Sequence, residues 1–170
     1  MENMKKGKNW FFLIMVVMGF CFAVPTNAIS ENQKNAILDH CEAMRDDLKN
    51  VQKADSRARV YLGGFYETIL VDFITPLNVR LVENNMSSAE LVENQNKLAD
   101  AKTLFAGDFI AYQQNLEELI LVDCEKEPEN FYNKLDKTRQ KRKIVEQDVL
   151  KMRNLISEHV KLVNQLKGKI

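Results

Sequence analysis

The chain predicts an all-α protein, a bundle of long antiparallel helices in up-down-up order with coiled-coil-like packing. Three observations carry that prediction. Apolar residues recur at steps of three and four over long runs, no stretch alternates as a strand does, and short reversal signals divide the pattern. Connections that short place successive helices side by side and antiparallel.

The elements begin with a leader. Lys5, Lys6 and Lys8 precede an apolar run over residues 10–24, followed by Pro25-Thr26-Asn27-Ala28, the pattern of a secretory signal peptide. The run falls short of the ~20 residues that a membrane-spanning helix needs. Cys21 follows Phe20, where lipid attachment wants a small residue. Cleavage is therefore expected after Ala28, separating a signal segment, residues 1–28, from a single helical-bundle domain, residues 29–170. Membrane contact is confined to the signal segment, if it is left uncleaved.

Losing Lys5, Lys6, Lys8 and Glu2 moves the formal net charge from 0 to −2. That balance gives no global case for nucleic acid as a partner. Cys41 and Cys124 remain, and an even pair in an exported chain points to a disulfide.

Ser30 followed by Gln33 forms a capping box at the start of the first helix. Its stripe runs through Ile37, Cys41, Met44, Leu48, Val51, Ala58, Leu62, Phe65, Ile69 and Phe73, and Asp55 occupies the one polar position. A break near Asp55 would make four helices of three without changing the class. Gly63-Gly64 reads as a weak spot, a kink or a place of close packing. Thr75-Pro76 marks the expected end, because proline disfavours helix at the residue before it. A turn or two of helix and a reversal at residues 83–86 follow.

Ser87 with Glu90 caps the second helix, whose stripe of Leu91, Leu98, Phe105, Phe109, Tyr112, Leu116 and Leu119 extends to Cys124. After a charged turn, Pro128 opens the third helix. Its stripe holds Phe131, Leu135, Val145, Val149, Met152, Ile156, Val163 and Leu166, with Arg142 as an interruption. If Cys41 and Cys124 lie at one level, the hairpin pivots about midway between them, near 82.5, inside the reversal bounded by Pro76 and Ser87. The same levels bring Asp55 beside Arg142, a register ion pair that would keep long helices from slipping by a heptad. By levels counted from the charged turn near residue 127, Lys137 of the basic run from Lys134 to Lys143 stands opposite Glu117, which favours pairing within the bundle over an anionic envelope polymer or lipid head group.

No constellation for catalysis emerges. His40 and His159 stand apart, no glycine-rich phosphate loop exists, and the adjacent carboxylates Asp46-Asp47 and Glu117-Glu118 diverge on their helices. The expectation is no catalytic residue, no cofactor and no metal. Asn85-Met86-Ser87 matches the short acceptor pattern for an N-linked glycan, relevant only in a eukaryotic secretory host. The connection over residues 75–88 is unusually apolar, and Leu77, Leu81 and Met86 are either a plug for the core or contacts for a protein partner. The functional expectation is an exported non-enzymatic interaction protein, a scaffold or adaptor of the cell envelope or extracellular space. A leader followed by long antiparallel helices is similar, in architecture alone, to exported helical chaperones. A holdase for unfolded exported chains is the alternative.

Overall fold

Ser30 starts the first helix through the reciprocal pair that its spacing to Gln33 allows. The Gln33 N–H donates to Ser30 Oγ at 3.3 Å and the Ser30 N–H donates to Gln33 Oε1 at 2.9 Å, so two free donors of the helix start are satisfied together. The computed structural model describes residues 29–86 and 89–168. The expected signal segment, its cleavage site, Cys21 and the Ser87 cap lie outside the described residues.

From Ser30 the chain builds an all-α bundle of α1 Glu31–Asp39, α2 Cys41–Thr68, a π-helical segment Ile69–Ile74, α3 Thr75–Glu83, α4 Ala89–Leu121 and α5 Pro128–Lys167. The elements from α1 to α3 follow one another as a first arm; α4 returns antiparallel to it, and α5 packs along α4. Among the described residues no helix is long and apolar enough to cross a membrane.

Several boundaries differ from the sequence expectation. Asp55 lies inside an unbroken α2, and the arm breaks instead at His40, whose φ of −124° and ψ of 17° leave the helical region. The break is slight, since the Met44 N–H still donates to His40 O at 2.9 Å. It lets α1 lean on α5, where Gln33 Nε2 donates to Tyr132 Oη at 3.0 Å, while α2 follows α4.

Nor does the helix end at Thr75-Pro76. Pro76 has no N–H, and its ring would strike the carbonyl of Asp72 four residues back in a regular α-turn. The turn before it widens to π geometry, with the Thr75 N–H donating to Leu70 O five residues back and the Thr75 hydroxyl donating to the same carbonyl at 2.8 Å. The arm thus continues through α3 to Glu83. The reversal is a tight turn in which Asn85 takes the left-handed conformation at φ 56°, one that asparagine tolerates better than most residues.

Gly63 and Gly64 sit in regular helix, and a Cβ at either would meet nothing within 4 Å. Close packing is therefore not their role. At the other end α4 stops at Leu121 rather than Cys124, and Asp123 Oδ1 accepts from the N–H groups of Glu125 and Lys126 at 3.2 and 3.1 Å. Pro128 then occupies the first turn of α5.

The core runs along the α4–α5 interface. Leu98, Phe105, Phe109, Tyr112, Leu116 and Leu119 of α4 are buried. In α5 the buried residues Phe131, Thr138, Val145, Met152 and His159 follow one another every seven residues, the period of a helix that keeps one seam against its neighbours.

Candidate binding seam

Polar groups decide how the first arm lies. On α2, Gln52 Nε2 donates to Glu117 Oε1 and Ser56 Oγ to Gln113 Oε1, both at 3.4 Å, and Glu67 pairs with Lys102; all three partners belong to α4. Near the far tip, Gln95 of α4 clasps α3: its Nε2 donates to Thr75 Oγ1 at 2.9 Å and its Oε1 accepts from Asn78 Nδ2 at 2.7 Å. The buried Asn78 amide also reaches Leu91 O at 3.3 Å. Such bonds hold the arm on α4 and leave its opposite flank facing α5 across an open seam.

The disulfide joins Cys41 to Cys124, with 5.7 Å between their Cα atoms. A register counted from that bond would set Ser56 opposite Phe109, whereas it faces Gln113, one turn further along. The reason is that Cys124 lies beyond the end of α4, where the chain no longer climbs at the helical rise. The basic run behaves similarly: Lys134, three residues before Lys137, pairs with Glu118 at 2.6 Å.

Asp55 and Arg142 meet at the head of the seam. Arg142 Nε donates to Asp55 Oδ2 at 3.1 Å and Nη2 to Oδ1 at 3.2 Å, a two-pronged pair. A third member joins from α4, where the buried Tyr112 hydroxyl donates to Asp55 Oδ2 at 2.6 Å. Burial pushes the Tyr112 pKa well up, helped by the hydrogen bond and negative charge of Asp55. The cluster therefore ties all three arms at a level where the apolar stripes would otherwise continue.

Beyond it the seam opens into a cavity of about 390 Å³ lined by Leu62, Phe105, Val145, Val149 and Leu150. The Arg59 guanidinium lies 5.5 Å from the Phe109 ring centre at this cavity's edge, within range of a cation–π attraction. Tyr66 then crosses the seam and its hydroxyl donates to Val149 O at 3.4 Å. The stripe placed Phe65 inward, but Tyr66 is the buried residue and Phe65 stands on the rim, stacked on Tyr61. Past Tyr66 a second cavity of about 320 Å³ is walled by Ile69, Phe73, Leu77, Ile156, Val160 and His159.

His159 is a residue the sequence reading set aside as isolated. It is 4% exposed, and its Nδ1 lies 3.2 Å from Oδ1 of the buried Asn94, whose Nδ2 donates to Leu155 O at 3.2 Å. Burial lowers the His159 pKa below the ordinary histidine value. The available signal was its place in the heptad, seven residues after Met152. Asp148 of α5 is raised above the usual carboxylate range by burial and by neighbouring Asp108.

Of the proposed partner contacts, Leu81 is buried, Leu77 forms part of the second cavity, and Met86 is 36% exposed at the tip. Leu77 and Leu81, one turn apart in α3, lie on one side of that helix, whereas Met86 lies beyond its end. Among the described residues, no group of three or more His, Cys, Asp or Glu side chains is arranged to hold a metal ion. Comparison with protein-family models, with curated proteins and with solved structures finds no match to this chain.

Proposed function

We propose that the chain is an exported, non-enzymatic helical interaction protein, a scaffold or adaptor, that receives one amphipathic helix of a protein partner along the open seam. The observation that supports this most is the pair of apolar walls left uncovered because polar bonds draw the first arm to α4. Phe65, Phe73, Leu150 and Val160 stand at least half or nearly half exposed along the two rims. From Ala58 to Leu77 the seam is about 28 Å long at the helical rise of ~1.5 Å per residue. A partner helix of about five turns would fill it and complete a four-helix bundle, the usual way that helices bury such a groove. Export is supported by the leader pattern and by the Cys41–Cys124 bond, since structural disulfides persist in oxidising compartments.

The test is a photo-crosslinker placed at Phe65 or Phe73, with Glu93 of α4 as the control position, in the protein's own cell envelope. One discrete adduct, mapped to a partner helix with apolar residues at steps of three and four, is expected from the seam positions alone. A synthetic peptide of that helix should bind at one to one. A smear of unrelated adducts would mean the holdase alternative, and equal labelling from Glu93 would refute a seam site.

A further inference from the structure

Two opposite charges stand across the head of the seam without meeting. Asp55 and Arg142 join α2 to α5 there by their two-pronged pair. One helical turn further on, α2 carries Arg59 and α5 carries Glu146. The two helices run in the same direction, since Tyr66 reaches Val149 where Asp55 reaches Arg142, so four residues along each keeps Arg59 and Glu146 at one level, about 6 Å past the pair. Their signs are those of a second ion pair with the roles exchanged, yet none forms. Among the described residues neither side chain takes part in a hydrogen bond or salt bridge, and the Arg59 guanidinium rests near the Phe109 ring instead. Both residues are exposed and line the first cavity, so an occupant of the seam lies against both. The second cavity has no Asp, Glu, Lys or Arg in its lining. Charge left to an occupant is therefore concentrated at the seam's head, on one rim positive and on the other negative.

We infer that Arg59 and Glu146 select the partner helix and set its direction, requiring a carboxylate on the flank that faces α2 and a lysine or arginine on the flank that faces α5, both in the turn at the seam's head. The inference rests on the reading of the seam as a helix-docking groove and names the chemistry of its occupant. A cation set against Arg59, or a carboxylate against Glu146, is repelled beside an apolar wall where water screens charges less than in bulk. Coiled coils choose partner and orientation in this way, by charges on the two flanks of an apolar stripe. Reversing a given partner helix exchanges its flanks and carries the charged turn to the uncharged end of the seam, so one direction alone satisfies both groups. The apolar walls supply the affinity, and the rim charges supply the choice.

The probes are two designed peptides of about 20 residues, the five turns that the seam accommodates. Their composition is identical: leucine at steps of three and four, alanine and glutamine elsewhere, and in the first turn one glutamate and one lysine on opposite flanks of the leucine stripe. They differ in which flank carries which charge. Fluorescence anisotropy against the purified chain should show one isomer binding about tenfold more tightly, as expected when two exposed pairs are matched rather than mismatched. The preference should reverse in the double variant Arg59→Glu with Glu146→Arg, and should shrink in about 1 M salt, where the screening length falls to about 3 Å. Both positions are exposed, so the variant should keep the native circular dichroism, and a reversed preference is not an effect of misfolding. Equal affinity of the isomers for the native chain, or a preference that survives the double reversal, would overturn the assignment and leave the seam reading standing. Binding of neither isomer would refute the seam reading, and this inference with it.

Discussion

Removing the Asp55 carboxylate should reverse the sign of a second substitution, Tyr112→Phe. In the native protein the buried Tyr112 hydroxyl donates to an ionised acceptor, a bond worth about 1.5–3 kcal/mol, so Tyr112→Phe should cost close to the lower figure. Arg142 is 48% exposed in its side chain against 17% for Asp55. Solvent screens that pair, and Arg142→Ala should cost no more than about 1 kcal/mol. Asp55→Ala loses both interactions and strands the tyrosine hydroxyl, a total of about 2–3 kcal/mol. For a domain of this length each kcal/mol moves the melting temperature by roughly 3–4 °C, so Asp55→Ala should melt about 8–10 °C lower. Once Asp55 is alanine, deleting the hydroxyl removes an unpaired buried donor, and Tyr112→Phe should restore about 1 kcal/mol. Urea unfolding followed by circular dichroism on the four combinations measures this directly. Equal destabilisation by Tyr112→Phe in both backgrounds would show that the hydroxyl has another partner. A loss from Arg142→Ala as large as that from Asp55→Ala would show that the ion pair dominates.

Replacing Cys41 and Cys124 together by alanine opens a loop with a sequence separation of 83, which in the chain-entropy model costs about 4–5 kcal/mol; calorimetry showing a loss below about 1 kcal/mol would refute a structural role for the bond. Gly64→Ala meets no atom within 4 Å and should stabilise α2 by about 1 kcal/mol, read as a melting temperature roughly 3 °C higher. Two groups should give stability opposite pH slopes. The folded pKa of His159 is depressed, so the unfolded chain binds the proton first and stability falls as pH drops below about 6.5; His159→Gln should flatten that limb of the unfolding-midpoint curve. The folded pKa of Asp148 is raised, so stability falls as pH climbs from about 4 through the raised value, and Asp148→Asn should be more stable than the parent at neutral pH.

The sequence by itself determined the helical class, the antiparallel order and the pairs that join the arms. Steps of three and four are a local property of the chain, and a rigid rise per residue turns local counting into long-range levels, which is why Cys41 meets Cys124 and Asp55 meets Arg142. Counting failed wherever the rise departed from the α-helical value. The π turn before Pro76, the irregular residue His40 and the non-helical stretch after Leu121 each shift register by an amount that no periodicity encodes. The tertiary structure alone decided which flank of the first arm is covered. That choice rests on side chains such as Gln95, Asn78 and Ser56 finding partners on α4, and a polar residue on a helix does not announce which neighbour it will bond. The same holds for His159: its heptad position foretold burial, but only the placement of Asn94 at 3.2 Å sets the tautomer and leaves Nε2 unpaired beside a cavity. Directional bonds between distant segments, unlike hydrophobic spacing, exist only once the chain has folded.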